Sequence, residues 1–128
     1  MNVKDGFAMK YAIDNEYLIT IISGGTNEAM KERLVKLGIN QVFLGSDNKI
    51  KELQKLAEEN NLKKEEILVM GDDILDIPIL KNAGISCCPQ DAVQEVKKIC
   101  DYVSFKKGGC GAVREIIEQV MKIQKKWI

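Results

Sequence analysis

Short apolar runs alternate with amphipathic stretches along the chain. The run YLITII (17–22) reads as a buried strand, broken by SGG at 23–25. In TNEAMKERLVKLG (26–38) the apolar residues Met30, Leu34 and Leu37 recur at helical spacing, and Gly38 is a C-terminal stop. QVFLG (41–45) predicts the next strand. NKIKELQKLAEENN (48–61) predicts a helix with Ile50, Leu53, Leu56 and Ala57 on one face. EILVMG (66–71) is a strand, and ILDIPILKNAG (74–84) a short helix ending at Gly84. ISCC (85–88), DAVQEVKKIC (91–100), DYVSF (101–105) and GAVREIIEQVMKIQKKW (111–127) follow as strand, helix, strand and closing helix. Residues 5–14 predict an opening helix. Strands apolar on both faces, alternating with helices, predict a three-layer α/β fold with a parallel, Rossmann-like sheet.

Ligands of such folds bind outside the carboxyl ends of the strands. The residues predicted there are Ser23-Gly24-Gly25, Ser46-Asp47-Asn48-Lys49 and Gly71-Asp72-Asp73. With Asp76, three carboxylates gather after one strand. At about 4 Å and an effective dielectric near 20, each like-charged pair repels by roughly 4 kcal/mol, so a positive partner is expected. Two readings compete. Asp73 and Asp76 suit helix capping and the helix dipole. Asp72 is not so explained, and oxygen ligands around a hard cation such as Mg²⁺ explain it. Ser23 with Gly24 and Gly25 is either a plain turn or a hydroxyl and free amides for a phosphate. Lys49 opens a helix, where a cation opposes the dipole; it is a surface lysine or a partner for phosphate.

Composition narrows the chemistry. The chain has 128 residues, suited to one domain, with Lys+Arg and Asp+Glu both at 19. That balance gives no basic excess for nucleic acid or a membrane surface. No apolar run approaches the roughly 18 residues of a membrane span, and MNVKDGFAMK has no signal-type apolar core, so the cytoplasm is expected. Cys87, Cys88, Cys100 and Cys110 lack paired metal-site spacing and are expected to be free thiols. No histidine occurs, which removes Ser-His and Cys-His mechanisms and leaves carboxylates, Lys, Tyr and Cys for acid–base work.

IISGG, GSDNK and GDDILDIP resemble three motifs of the haloacid dehalogenase superfamily of phosphatases. NVKDGFAMKYA, LGIN and SCCPQDAVQEVKKICDYVSFKKGGCGAVREIIEQV narrow this to the 3-deoxy-D-manno-octulosonate 8-phosphate phosphatases and related phosphatases of nine-carbon keto-deoxy sugars. The resemblance implies a Mg²⁺-dependent phosphatase of a phosphorylated sugar acid, serving lipopolysaccharide biosynthesis and commonly a homotetramer. It implies that Ser23 hydrogen-bonds the transferring phosphoryl group and Lys49 neutralises its charge. Asp72 would ligate Mg²⁺, with Asp73 and Asp76 ordering its surroundings. Lys4, Asp5 and Gly6 match a segment near the substrate, as do Gly24 and Gly25, and Gly108, Gly109, Gly111 and Arg114 match a glycine-rich element. Cys110 stands where the family has arginine.

The family opens with a strand ending in Asp-x-Asp-Gly. Its first Asp attacks phosphorus, and its second is the general acid and base. No Asp-x-Asp occurs in these 128 residues. The expectation is therefore a single haloacid dehalogenase-like domain over 1–128 whose first strand, catalytic loop and flap are missing, inactive by itself. The missing strand would lie between those at 17–22 and 66–70, so a slot or disturbed pairing is expected there. The alternative is a non-catalytic assembly domain of the kind fused to acylneuraminate cytidylyltransferases.

Overall fold

The computed structural model describes residues 2–39 and 41–128. Every predicted element is present, most of them shorter than the pattern suggested. Helix α1 (Val3–Asp14) is followed by strand β1 (Thr20–Ile22), helix α2 (Glu28–Lys36), strand β2 (Gln41–Phe43) and helix α3 (Lys49–Glu59). Strand β3 (Leu68–Met70), helix α4 (Ile77–Leu80), strand β4 (Ile85–Cys88), helix α5 (Gln94–Ile99), strand β5 (Tyr102–Val103) and helix α6 (Ala112–Ile123) complete the order.

The shortening has local causes. Tyr17 N–H donates to Ala12 O at 3.0 Å, so the residues after α1 are still tied to its last turn and β1 begins only at Thr20. The segment predicted as one helix over 74–84 is a 3₁₀ turn at Ile74–Asp76 and then the four-residue α4, with Pro78 in its first turn. Helix α4 ends where Asn82 Nδ2 donates to Pro78 O, at 2.8 Å. Ala92 N–H donates to Pro89 O in a turn, which delays α5 to Gln94.

Residues Met1–Asp47 with Gly109–Ile128 form one compact unit, and Asn48–Gly108 a second. In the first, β1 and β2 pair in parallel with Ile21 opposite Val42. Its core gathers Met9, Leu34, Ile39 and Val42, with Ile13, Ile21, Val113 and Ile117 packed against them. Helix α1 lies along α6, and Tyr11 meets Trp127 edge to face with centroids 5.2 Å apart. In the second unit β3, β4 and β5 form a parallel sheet with Val69 opposite Ser86 and Cys87 opposite Tyr102. Leu80, Cys88, Ala92 and Val96 are its buried centre.

The parallel strands form two hydrogen-bonded sheets, one in each unit. Among the described residues β1 pairs only with β2, and β3 only with β4. A parallel strand without a neighbour leaves a row of backbone donors and acceptors without ladder partners, and strands of two to four residues keep that row short. All four cysteines are free thiols. Among the described residues no helix is long and apolar enough to cross a membrane.

Gly84 joins α4 to β4 at a close backbone approach. A Cβ built there would stand 2.3 Å from Lys64 O and 2.8 Å from Glu65 Cα, both backbone atoms that cannot move aside cheaply. Gly84→Ala is expected to cost about 2–3 kcal/mol, as overpacking does. Urea denaturation measures it, and an unchanged midpoint would contradict the packing described.

Candidate functional site

The three aspartates after β3 have different surroundings. Asp76 is 7% exposed. Its Oδ2 accepts from the amides of Asp72 at 3.0 Å and Asp73 at 3.2 Å, and its Oδ1 accepts from Lys49 Nζ at 2.5 Å. Gly71 permits this fold-back, because a Cβ there would lie 2.7 Å from Asp76 Cβ. Burial by itself pushes the Asp76 carboxyl up. The Lys49 hydrogen bond and the two amides outweigh it and hold the group below the ordinary carboxylate value. Asp73 caps the 3₁₀ turn through Oδ1, which accepts from Ile74 N–H at 2.7 Å. Asp72 is exposed at the rim of the loop. Partial desolvation of its carboxyl, then the adjacent Asp76 charge, pushes it above the ordinary value.

The positive partner that the acidic cluster required is Lys49. It is the first residue of α3, whose N-cap Asn48 accepts from Lys51 N–H at 3.1 Å. A lysine there works against the helix dipole. The Asp76 carboxylate compensates, and the pair is mostly screened from water, with side chains 25% and 10% exposed.

This geometry tests the metal reading. Both Asp76 oxygens and one of Asp73 accept hydrogen bonds, and Asp72 is the exposed carboxylate beside them that an ion could reach. Among the described residues no group of three Asp, Glu, Cys or His side chains could hold a metal. Mg²⁺ takes six oxygens in near-octahedral array, commonly one or two carboxylates with waters and substrate phosphate. The described residues offer one such ligand and do not make a complete site.

Ser23, Gly24 and Gly25 follow β1 in the first unit. Ser23 N–H donates to Phe43 O at 2.8 Å, which fixes the loop to β2. Ser23 Oγ accepts from Gly25 N–H at 3.0 Å, so that amide is engaged while the hydroxyl keeps its capacity to donate. Asp5 is 4% exposed, and its Oδ1 accepts from Arg114 N–H at 3.0 Å. It thereby caps α6, whose own N-cap is Gly111 at φ +102° with no side chain to offer. The Arg114 guanidinium lies 5.6 Å from the centroids of both Phe7 and Trp127, and its Nε donates to Glu118. Lys4 is exposed on α1. The structure therefore joins Lys49 to Asp72, Asp73 and Asp76, and Asp5 to Arg114, while Ser23, Gly24 and Gly25 form their own loop.

Three features escaped the sequence reading. Asn2 caps α1, accepting from Lys4 and Asp5 amides; an Asn just before a helix was the available signal. The aromatic seat of Arg114, Phe7 and Trp127, joins residues far apart in the chain and left only Phe7 and Tyr11, four apart on one helix, as a trace. The Lys49–Asp76 pair left no trace, since the partners are 27 residues apart.

The profile of haloacid dehalogenase-like hydrolases matches residues 38–117. The chain is 31% identical over 125 residues to the 3-deoxy-D-manno-octulosonate 8-phosphate phosphatase of Escherichia coli strain K12, a match covering 98% of this chain and 66% of that protein. It therefore spans just under two thirds of that relative's length. It is similar to the solved 3-deoxy-D-manno-octulosonate 8-phosphate phosphatase of Moraxella catarrhalis, in complex with a magnesium ion, a phosphate ion and a KDO molecule. There the TM-score is 0.93 and the identity 27%, over 98% of this chain and 72% of that one. The cobalt-bound deoxy-D-mannose-octulosonate 8-phosphate phosphatase of Haemophilus influenzae is similar at TM-score 0.94 and 30% identity, over 98% and 74%.

Two substitutions probe the loops. Lys49→Met strands a buried carboxylate and is expected to cost about 2 kcal/mol at neutral pH. The Asp76 carboxyl is depressed in the folded chain, so its contribution is present above its unfolded value and lost as pH falls through the folded one. Urea titrations should accordingly show the gap between Lys49→Met and the unaltered chain closing in acid; a constant gap would contradict the pairing. Asp5→Ala removes the cap of α6 and should cost about 1–2 kcal/mol, read in the same way.

Proposed function

The chain belongs to the haloacid dehalogenase-like hydrolases, and from that premise we propose that it is the core of a Mg²⁺-dependent phosphatase of a keto-deoxy sugar acid phosphate, of the 3-deoxy-D-manno-octulosonate 8-phosphate type. The observation that carries the reading is the end of β3. There an ammonium is locked against one buried carboxylate, while the neighbouring carboxylate, Asp72, is exposed. A fixed cation with a free anionic ligand suits a phosphate ester and its metal.

In this reading Lys49 neutralises phosphoryl charge and Asp76 holds it in place. Asp73 and Asp76 order the loop that presents Asp72, the one carboxylate these residues offer to the ion. Ser23 donates its hydroxyl hydrogen to a phosphoryl oxygen, beside Gly24 and Gly25. Lys4 and Arg114 meet the anionic sugar acid, with Asp5 fixing the start of the helix that carries Arg114. The ion, when bound, would supply charge stabilisation. The related phosphatases favour this reading over a non-catalytic assembly domain. The reading carries with it a cytoplasmic enzyme of lipopolysaccharide precursor synthesis, assembled as a homotetramer.

Phosphoryl transfer to an aspartate needs the Asp-x-Asp pair, which these 128 residues do not contain. We expect no turnover from them alone. A chain with the family's Asp-x-Asp-Gly strand placed ahead of residue 1 should release phosphate from 3-deoxy-D-manno-octulosonate 8-phosphate with Mg²⁺ and stop on chelation. Lys49→Ala should then lower kcat by about 10²–10³, the scale of a lost charge-stabilising donor. Turnover by the 128 residues alone, or activity indifferent to chelation, would sink the proposal.

A further inference from the structure

Arg114 stands in the first turn of α6, and its side chain is fixed from two directions. The guanidinium carbon lies 5.6 Å from the ring centroids of both Phe7 and Trp127. Those rings meet edge to face with centroids 6.4 Å apart, so both lie on one side of the guanidinium. Its Nε donates to Glu118 Oε1 at 2.6 Å, one turn further along α6. Among the described residues the two Nη groups make no hydrogen bond or ion pair, and the side chain is 33% exposed. Its charge is not cancelled locally. Glu118 also faces Lys122 Nζ at 3.4 Å, so one carboxylate is shared by two cations. The carboxylate of Asp5 is buried and engaged by the Arg114 amide. Lys4 is exposed one turn before Phe7 on α1, so it adds positive charge beside the ring.

A guanidinium is a planar fork whose paired N–H groups match the two oxygens of a carboxylate. A loose arginine loses rotamer freedom when it meets one. Here the two rings and Glu118 have already restricted the side chain, so less freedom is lost on binding. The Nε position is taken and the Nη pair is the part left for a ligand. We propose that this Nη pair clamps the carboxylate of the sugar acid, and that Phe7, Trp127 and Glu118 are its positioning residues. The inference rests on the sugar acid phosphate reading given above. In that reading Ser23 and Lys49 meet the phosphoryl group, which leaves the ligand's other anionic group, the carboxylate, for Arg114.

The test uses the 128-residue chain with two probes, 3-deoxy-D-manno-octulosonate 8-phosphate and its carboxyl methyl ester. Calorimetry reads affinity. Trp127 is the one tryptophan of the chain, so its fluorescence reports on the Arg114 corner. The acid should bind about tenfold more tightly than the ester, the difference of one charge-assisted pair. Only the acid should shift the emission. Arg114→Lys keeps the charge without the fork and should bring the acid close to the ester's affinity. Phe7→Leu should narrow the acid-to-ester ratio, and Phe7→Tyr should keep it. Trp127→Leu and Trp127→Phe repeat that comparison by calorimetry near the chain's end, should Phe7→Leu fail to fold. A merely structural role for the rings would weaken acid and ester alike and leave the ratio unchanged, which would overturn the positioning. Equal binding of acid and ester by the unaltered chain would overturn the clamp and leave the phosphate reading standing. If neither probe binds, both fall.

Discussion

The second unit is organised around one carboxylate. Asp76 accepts from two successive backbone amides and an ammonium, and so replaces in protein the hydration it loses on burial. The two amides belong to the residues that leave β3, so their engagement sets the path of the chain from strand to 3₁₀ turn. The ammonium belongs to the first residue of α3, so the same group also ties that helix start to the strand end. Gly71 is the steric condition of the arrangement, because any larger residue would meet the Asp76 side chain. Removing any one of the donors leaves a buried anion short of partners, which is why a cluster of three like charges is tolerated here.

The first unit repeats the logic at smaller scale. Helix α6 begins at a glycine in the left-handed region, which turns the chain but has no side chain for the exposed first-turn amides. Asp5, from α1, supplies the missing acceptor, and packing of α1 along α6 keeps it there. Asn2 in turn caps α1 and donates to Gly109 O, 3.2 Å away, at the entrance of the glycine-rich loop. The two helices therefore fix each other's ends. Arg114, seated between Phe7 and Trp127, belongs to the same arrangement, so a residue chosen for its charge also has a packing role.

The order of strands and α-helices was legible in the alternation of apolar runs with amphipathic stretches, because each run lies in a parallel strand. The lengths were not. Where a strand or helix stops depends on where backbone donors find partners, as at Tyr17 and Asn82, and those partners are not encoded in periodicity. The acidic triplet and the serine–glycine turn stood out by residue type at strand ends. That Lys49 belongs to Asp76 was illegible, since any lysine at the sheet edge would have met the charge requirement. Asp5 was legible as part of a motif and illegible as a cap, because a cap given to another helix has no local signature.

Three aspartates within five positions are chemically one residue type, and their different work comes from which donors each one meets. Asp76 meets amides and an ammonium and is held ionised; a ligand could claim it only by undoing the loop. Asp73 faces the first amide of the 3₁₀ turn and is half engaged. Asp72 meets no ammonium, and its carboxyl is raised by desolvation and by the Asp76 carboxylate beside it. An anion in that position gains from an added cation what its neighbour already draws from Lys49. The availability of a carboxylate at the end of β3 is thus the remainder after the fold has taken the acceptors it needs.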